Sequence, residues 1–275
     1  MDQDRPEASA NRQRSTEASH TTAATSVPVL MFHALEERSS PISFPPAVFR
    51  RGLAHLHARG YRTCSLLDVA ACLRRRAPLP ARALVITFDD GYRSVYEEAF
   101  PALRERAMTA TIFLTVGKSG WAATTGRLPP FEGRQMLSWS EIREMHAAGI
   151  GIGAHTLTHP DLTRLPRDRV EAELRDSKAA IEDALGAPVE CFAYPYGRFD
   201  RQSHELARRY FSCACSDRLG LVRVDSDPYA LERVETYYLR TDRLFALVPT
   251  AWLRWYIGAR NVPRVVRRMT RPATW

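Results

Sequence analysis

Short apolar runs alternate with stretches of helical period from residue 27 onward. The apolar runs are "VPVLMFH" (27–33), "ALVITF" (83–88), "ATIFLTV" (110–116), "IGIGA" (150–154), "VECFAY" (189–194), "FSCAC" (211–215) and "LERVETYY" (231–238), with a shorter extended piece, "YRTCS" (61–65). Each reads as a strand. Between them the period shifts to that of a helix. A helix over 45–60 closes on Gly60, and one running to Arg76 opens with Ser65 and Asp68 in capping-box spacing. Further helices are predicted over 93–107, over 138–149 with Ser138 and Glu141 as its cap, and over 166–185, stopped by Gly186. Residues 117–137, with Gly, Pro and Thr throughout, read as a long loop.

Strands alternating with helices predict a parallel sheet, and seven or so units in about 215 residues predict its closure into a barrel. The fold class is α/β, one barrel domain over 27–243. Residues 1–26 are polar and poor in large apolar side chains, and read as a disordered tail. Residues 244–275 form an aromatic and basic helical tail. There Trp252, Trp255 and Tyr256 sit beside Arg254, Arg260, Arg264, Arg267 and Arg268. Such a segment serves either as a closing helix packed on the barrel or as a weak contact with a membrane surface.

Composition narrows the class. The 275 residues are 45% hydrophobic, enough for one full core. Five cysteines, with no C-x-x-C pair, read as reduced interior thiols. The net charge of +8 is almost all arginine, since only Lys118 and Lys178 are lysines. The runs "RRR" (74–76) and "RR" (267–268) carry no interleaved aromatic platform, so a solvated basic surface is expected and a nucleic-acid partner is not. No secretory h-region and no spanning helix is legible, which places the expected protein in the cytoplasm, peripheral to a membrane at most.

The chemistry falls on strand ends. His33 follows the first strand, Asp89 and Asp90 follow "ALVITF", and His155 and His159 follow "IGIGA". Two adjacent carboxylates repel unless a cation is bound or one holds a proton. Histidines four apart can reach one metal ion, and two histidines with one carboxylate form a facial set with open positions. One aspartate then ligates the ion and the other stays free as a general base beside activated water. Zinc is the expected divalent ion, and cobalt, nickel or iron(II) suits the same ligands. After a further strand, "FAYPYG" (192–197) supplies a turn whose backbone N–H can face a developing oxyanion.

Three of these segments, in order, resemble the motifs of the polysaccharide deacetylases, carbohydrate esterase type four: "TFDDGY" (87–92), "HTLTH" (155–159) and "FAYPYG" (192–197). The likeness extends over roughly 27–238, with 137–165 as one continuous family-like stretch. It implies an irregular (β/α)7 TIM-like barrel and removal of the N-acetyl group from an amino sugar. It further implies Asp89 as general base, Asp90, His155 and His159 as metal ligands, and the Tyr196 N–H in the oxyanion hole.

Two positions depart from the pattern. No leucine–x–histidine strand supplies a late general acid. "VPVLMFH", however, resembles the opening strand of the permuted branch that deacetylates poly-N-acetylglucosamine, and this assigns the acid role to His33. Ala193 stands where the third motif commonly has an arginine that orients the base, and Arg233 is the substitute candidate. The expected substrate is an N-acetylhexosamine unit of a glycan, a small glycoside or a lipid-linked sugar. A deformylase or other amidase with the same metal site, and a non-catalytic carbohydrate-binding protein, are the competing readings.

Overall fold

The computed structural model describes residues 24–117 and 126–270. Its centre is a ring of seven parallel strands: β1 (Val29–Phe32), β2 (Ala83–Phe88), β3 (Thr111–Leu114), β4 (Gly151–Ala154), β5 (Cys191–Ala193), β6 (Cys213–Leu219) and β7 (Leu231–Glu235). Chain order and ring order coincide, and the ring closes where Val234 of β7 pairs beside Leu30 of β1. Every residue of β2 is buried, as a barrel strand covered on both faces requires. The polar residues that end these strands therefore meet at one rim.

Helices wrap the ring. They are α1 (Pro46–Ala58), α2 (Leu66–Arg75), α3 (Phe100–Arg104), α4 (Trp139–Ala147), α5 (Arg167–Leu185), α6 (Arg201–Tyr210), the single turn α7 (Asp242–Phe245) and α8 (Trp252–Thr270). Both predicted capping boxes form. Ser65 and Asp68 bond reciprocally at the start of α2, and Ser138 and Glu141 do so at α4.

Several boundaries differ from the sequence pattern for physical reasons. The helix expected over 93–107 is shortened and preceded by a π-helical turn, Val95–Ala99, in which the Phe100 N–H reaches back to the Val95 carbonyl. Pro101 has no N–H to donate to a preceding turn, so the wider turn ends where the proline begins an α-helix. Strand β6 runs on past Cys215 to Leu219 through an irregularity in its pairing with β7. The expected strand 231–238 ends at Glu235 and turns into a 3-10 helix, Thr236–Leu239. "YRTCS" pairs only Arg62 and Thr63 with the start of β2 and does not join the closed ring.

The flanks are partly built into the domain. Residues 24–26, expected in the tail, already pair: Ala24 with Leu79, and Ser26–Val27 antiparallel to Val222–Arg223. The rest of the expected tail, 1–23, and residues 118–125 and 271–275 lie outside the described residues. At the other end α8 buries Leu253 and Ile257 in the main core.

The closing segment is seated by a missing side chain. Phe245 of α7 is 1% exposed and packs edge-on to Phe44, with ring centroids 6.0 Å apart. A Cβ on Gly52 of α1 would overlap its ring. Gly52→Val is therefore expected to destabilise the protein by about 1–3 kcal/mol, the usual cost of overpacking, as a fall in denaturant midpoint at unchanged slope.

Candidate metal centre

The rim gathers residues from five strands. His33 follows β1, Asp89 and Asp90 follow β2, and His155 and His159 follow β4. Tyr196 lies in the 3-10 turn Pro195–Gly197 after β5, and Arg233 points inward from β7, 2% exposed. Among the described residues eight non-glycines have positive φ, and four of them are here: Asp90 (72°), Thr156 (68°), His159 (57°) and Tyr196 (57°). Such backbone costs of order 1–3 kcal/mol each and persists only where surrounding bonds over-determine it. Gly197, itself at φ 62°, has no room for a side chain, because a Cβ would run into the Asp217 backbone.

Asp90, His155 and His159 each offer a ligand atom, and these atoms lie within 4.8 Å of one another. Both histidine Nε2 atoms face Asp90 Oδ1, at 3.6 Å from His155 and 3.5 Å from His159. His155 Nδ1 donates to the Ala193 carbonyl at 2.7 Å, so its Nε2 carries the lone pair. Burial holds both rings neutral, His155 down to about 3 and His159 to about 4. Asp90 Oδ1 is buried without a hydrogen-bond partner. Burial, with the Asp89 charge adding to it, pushes Asp90 up to about 6. Two imidazole Nε2 atoms 3.2 Å apart and a buried carboxylate around one point fit a divalent cation.

Asp89 sits in the opposite electrostatic position. Its Oδ1 accepts from Arg233 Nη1 at 2.7 Å, and Arg233 Nε donates to the Ser216 carbonyl at 2.9 Å. Burial opposes ionisation, but the charge of Arg233 and its hydrogen bond outweigh it and hold Asp89 at about 2. The other oxygen, Oδ2, lies 3.9 Å from His33 Nε2, whose side chain is partly exposed. Two neighbouring carboxylates are thus driven apart, one held ionised beside an arginine and one raised by burial.

One supporting residue has no counterpart in the motif reading. Glu173 of α5, buried, accepts the N–H groups of Leu157 and Thr158 at 2.9 Å each and the Thr158 hydroxyl at 2.7 Å. Thr156 Oγ1 accepts the His159 N–H at 3.0 Å. Together these bonds fix the loop between the two histidines. In sequence Glu173 is one acidic residue on a strongly charged helix, with only its distance from "HTLTH" to mark it.

Aromatic rings flank the centre. The His159 ring has Phe131 at 5.0 Å on one side and Tyr196 at 4.7 Å on another, and Tyr196 is 57% exposed. Phe131 comes from the long loop over 117–137, of which residues 118–125 lie outside the described residues. His204, the one histidine after His159, pairs with Asp227 at 2.7 Å through its place on α6.

A seven-stranded parallel barrel with this rim defines a hydrolase of the carbohydrate deacetylase class. The chain carries a domain of the polysaccharide deacetylase family, whose pattern matches residues 76–210. That span holds Asp89, Asp90, His155, His159 and Tyr196, while His33 and Arg233 come from strands on either side of it. YxkH of Bacillus subtilis, named for the same family, is 28% identical over 209 residues, 76% of this chain and 70% of its own length. A poly-beta-1,6-N-acetyl-D-glucosamine N-deacetylase of Staphylococcus aureus is 28% identical over 135 residues, covering 45% of this chain and 43% of that enzyme. The structure of IcaB from Ammonifex degensii superposes with a TM-score of 0.69 at 26% identity, covering 83% of this chain and 99% of that one.

Two outcomes are expected of the centre itself. Below about pH 6 an incoming divalent ion must displace the proton on Asp90, so affinity should fall about tenfold per pH unit as the solution is acidified. Above pH 6 it should level off; calorimetric titration of zinc at several pH values reads this directly. Glu173→Gln, which removes one acceptor and the charge from the histidine loop, should weaken metal binding about 10–100-fold while the barrel's far-UV spectrum stays unchanged.

Proposed function

We propose that the barrel hydrolyses the N-acetyl amide of an N-acetylhexosamine unit. The observation that carries this reading is the buried Arg233–Asp89 pair set against the Asp90, His155 and His159 cluster. It provides an ionised carboxylate and a cation site side by side at the rim. The relatives named for deacetylation of polysaccharides support the same reaction class.

A divalent ion at the cluster, zinc first among the candidates, supplies a Lewis acid that polarises the amide carbonyl and acidifies water. Everything else falls to the chain's own side chains. Arg233 holds Asp89 Oδ1, which leaves Oδ2 to take the proton of the attacking water. Water adds to the carbonyl carbon, and the Tyr196 N–H faces the oxygen that gains charge. Breakage of the C–N bond then sends the amine away with a proton from His33, and acetate remains. Asp89, held near 2, is a weak base but keeps its charge at neutral pH. The exposed Tyr196 ring, edge-on to His159, offers an apolar face for a pyranose.

Acetate release is the direct test, measured on N-acetylglucosamine as monosaccharide, oligomer and lipid-linked form. The wild type is expected to release acetate, chelation to abolish it and added zinc to restore it. Asp89→Asn should lower the rate about 10²–10⁴-fold with the metal still bound. Acetate release that survives both chelation and Asp89→Asn would sink the proposal, and formate release from N-formyl substrates alone would replace it with a deformylase.

A further inference from the structure

We propose that α8 docks the protein on an anionic phospholipid surface, with the catalytic rim beside the contact. The helix has two apolar sides and only one is used. Leu253 and Ile257, four apart, are buried in the core. Trp252 and Trp255, three apart, and Val262, seven further on, lie on a different side and are 70%, 73% and 61% exposed. Tryptophan is ordinarily well covered in a folded protein, and two of them exposed on one helix face call for something to cover them.

Charge decides what that is. From Leu244 to Trp275 there is no aspartate or glutamate, but there are arginines at 254, 260, 264, 267, 268 and 271. A helix with exposed tryptophans on one side, Arg254 and Arg260 exposed along it and no acidic residue in its sequence has the chemistry of an interfacial segment lying in the headgroup plane of an anionic bilayer. No helix among the described residues is long and apolar enough to cross a membrane, so the contact is with the surface.

The same helix is tied to the rim. Tyr256 Oη donates to the Tyr238 carbonyl at 2.8 Å, and the Arg260 guanidinium lies 5.5 Å from the Tyr238 ring. Tyr238 belongs to the turn that follows β7, and Thr236 of that turn donates to the carbonyl of Met31, two residues before His33. A surface met by α8 therefore lies beside the end of the barrel that holds the metal centre, which favours a membrane-borne amino sugar as substrate. The docking itself holds whatever amide the barrel hydrolyses.

Vesicle flotation of the full chain tests this without any substrate. Vesicles of phosphatidylcholine with about one-third phosphatidylglycerol should bind the protein at least about tenfold better than pure phosphatidylcholine, and high salt should remove the difference. The double substitution Trp252→Ser with Trp255→Ser touches no core residue. It should lower binding at least about tenfold while leaving thermal unfolding unchanged. Equal binding to both vesicle types, or undiminished binding by the double variant, would overturn the proposal. A concentration-dependent dimer abolished by the same two substitutions would overturn it too, by assigning the face to a second copy of the chain.

Discussion

The rim is organised around one buried ion pair. Arg233 and Asp89 are each 2% exposed, come from β7 and from just after β2, 144 residues apart in sequence, and meet at 2.7 Å. Burying both charges costs several kcal/mol of hydration, which their attraction in a low-dielectric interior roughly returns, so the pair adds little net stability. What it adds is specification. Only when β7 closes against β1 does the guanidinium reach Asp89, and only then is one carboxylate of the pair satisfied while its neighbour is left for a cation. Loss of either partner alone would strand a charge in the core, typically at about 3–5 kcal/mol.

Around that pair the chain holds its ligands in conformations that cost energy. Thr156 is β-branched and His159 bulky, yet both adopt left-handed backbone, as Asp90 and Tyr196 do. The compensation is visible in the bonds made by Glu173 to Leu157 and Thr158, in the Thr156 hydroxyl beneath His159, and in the close approach of Gly197 to Asp217. Each fixes a turn that would otherwise relax to an ordinary loop. Those bonds hold Asp90, His155 and His159 in one arrangement, which limits the ordering entropy that binding a cation would cost.

Much of this was legible in the sequence, for reasons specific to each part. Barrel strands are buried on both faces, so "ALVITF" stands out as a continuous apolar run. Capping boxes are local and need only Ser65 with Asp68 or Ser138 with Glu141. Adjacent Asp89 and Asp90 announce themselves by their repulsion. What stayed hidden depends on tertiary placement. Nothing local distinguishes Glu173 from its neighbours on α5, because its role exists only once α5 lies under the histidine loop. Arg233 was a candidate by position in a late strand, but its bond to Asp89 requires ring closure. The π-turn before Pro101 and the extension of β6 past Cys215 reflect packing that overrides local propensity. The two roles of α8, covering the barrel on one side and leaving tryptophans exposed on another, fall on different faces of a single helix.

The coincidence of chain order with ring order has a further consequence. A closed ring has no first strand: β1 is held by Leu30 beside Val234 and by Val29–Phe32 beside Val85–Phe88, wherever the peptide happens to begin. Transplanting β1 and His33 from the beginning of the polypeptide to a position after β7 would preserve both pairings. The histidine would come back to the same side of Asp89. Spatial catalytic order in such a barrel is thus independent of genetic order. A homologue could carry its counterpart of His33 at the far end of the gene and still present the same constellation, so alignments read strictly from left to right would miss the equivalence.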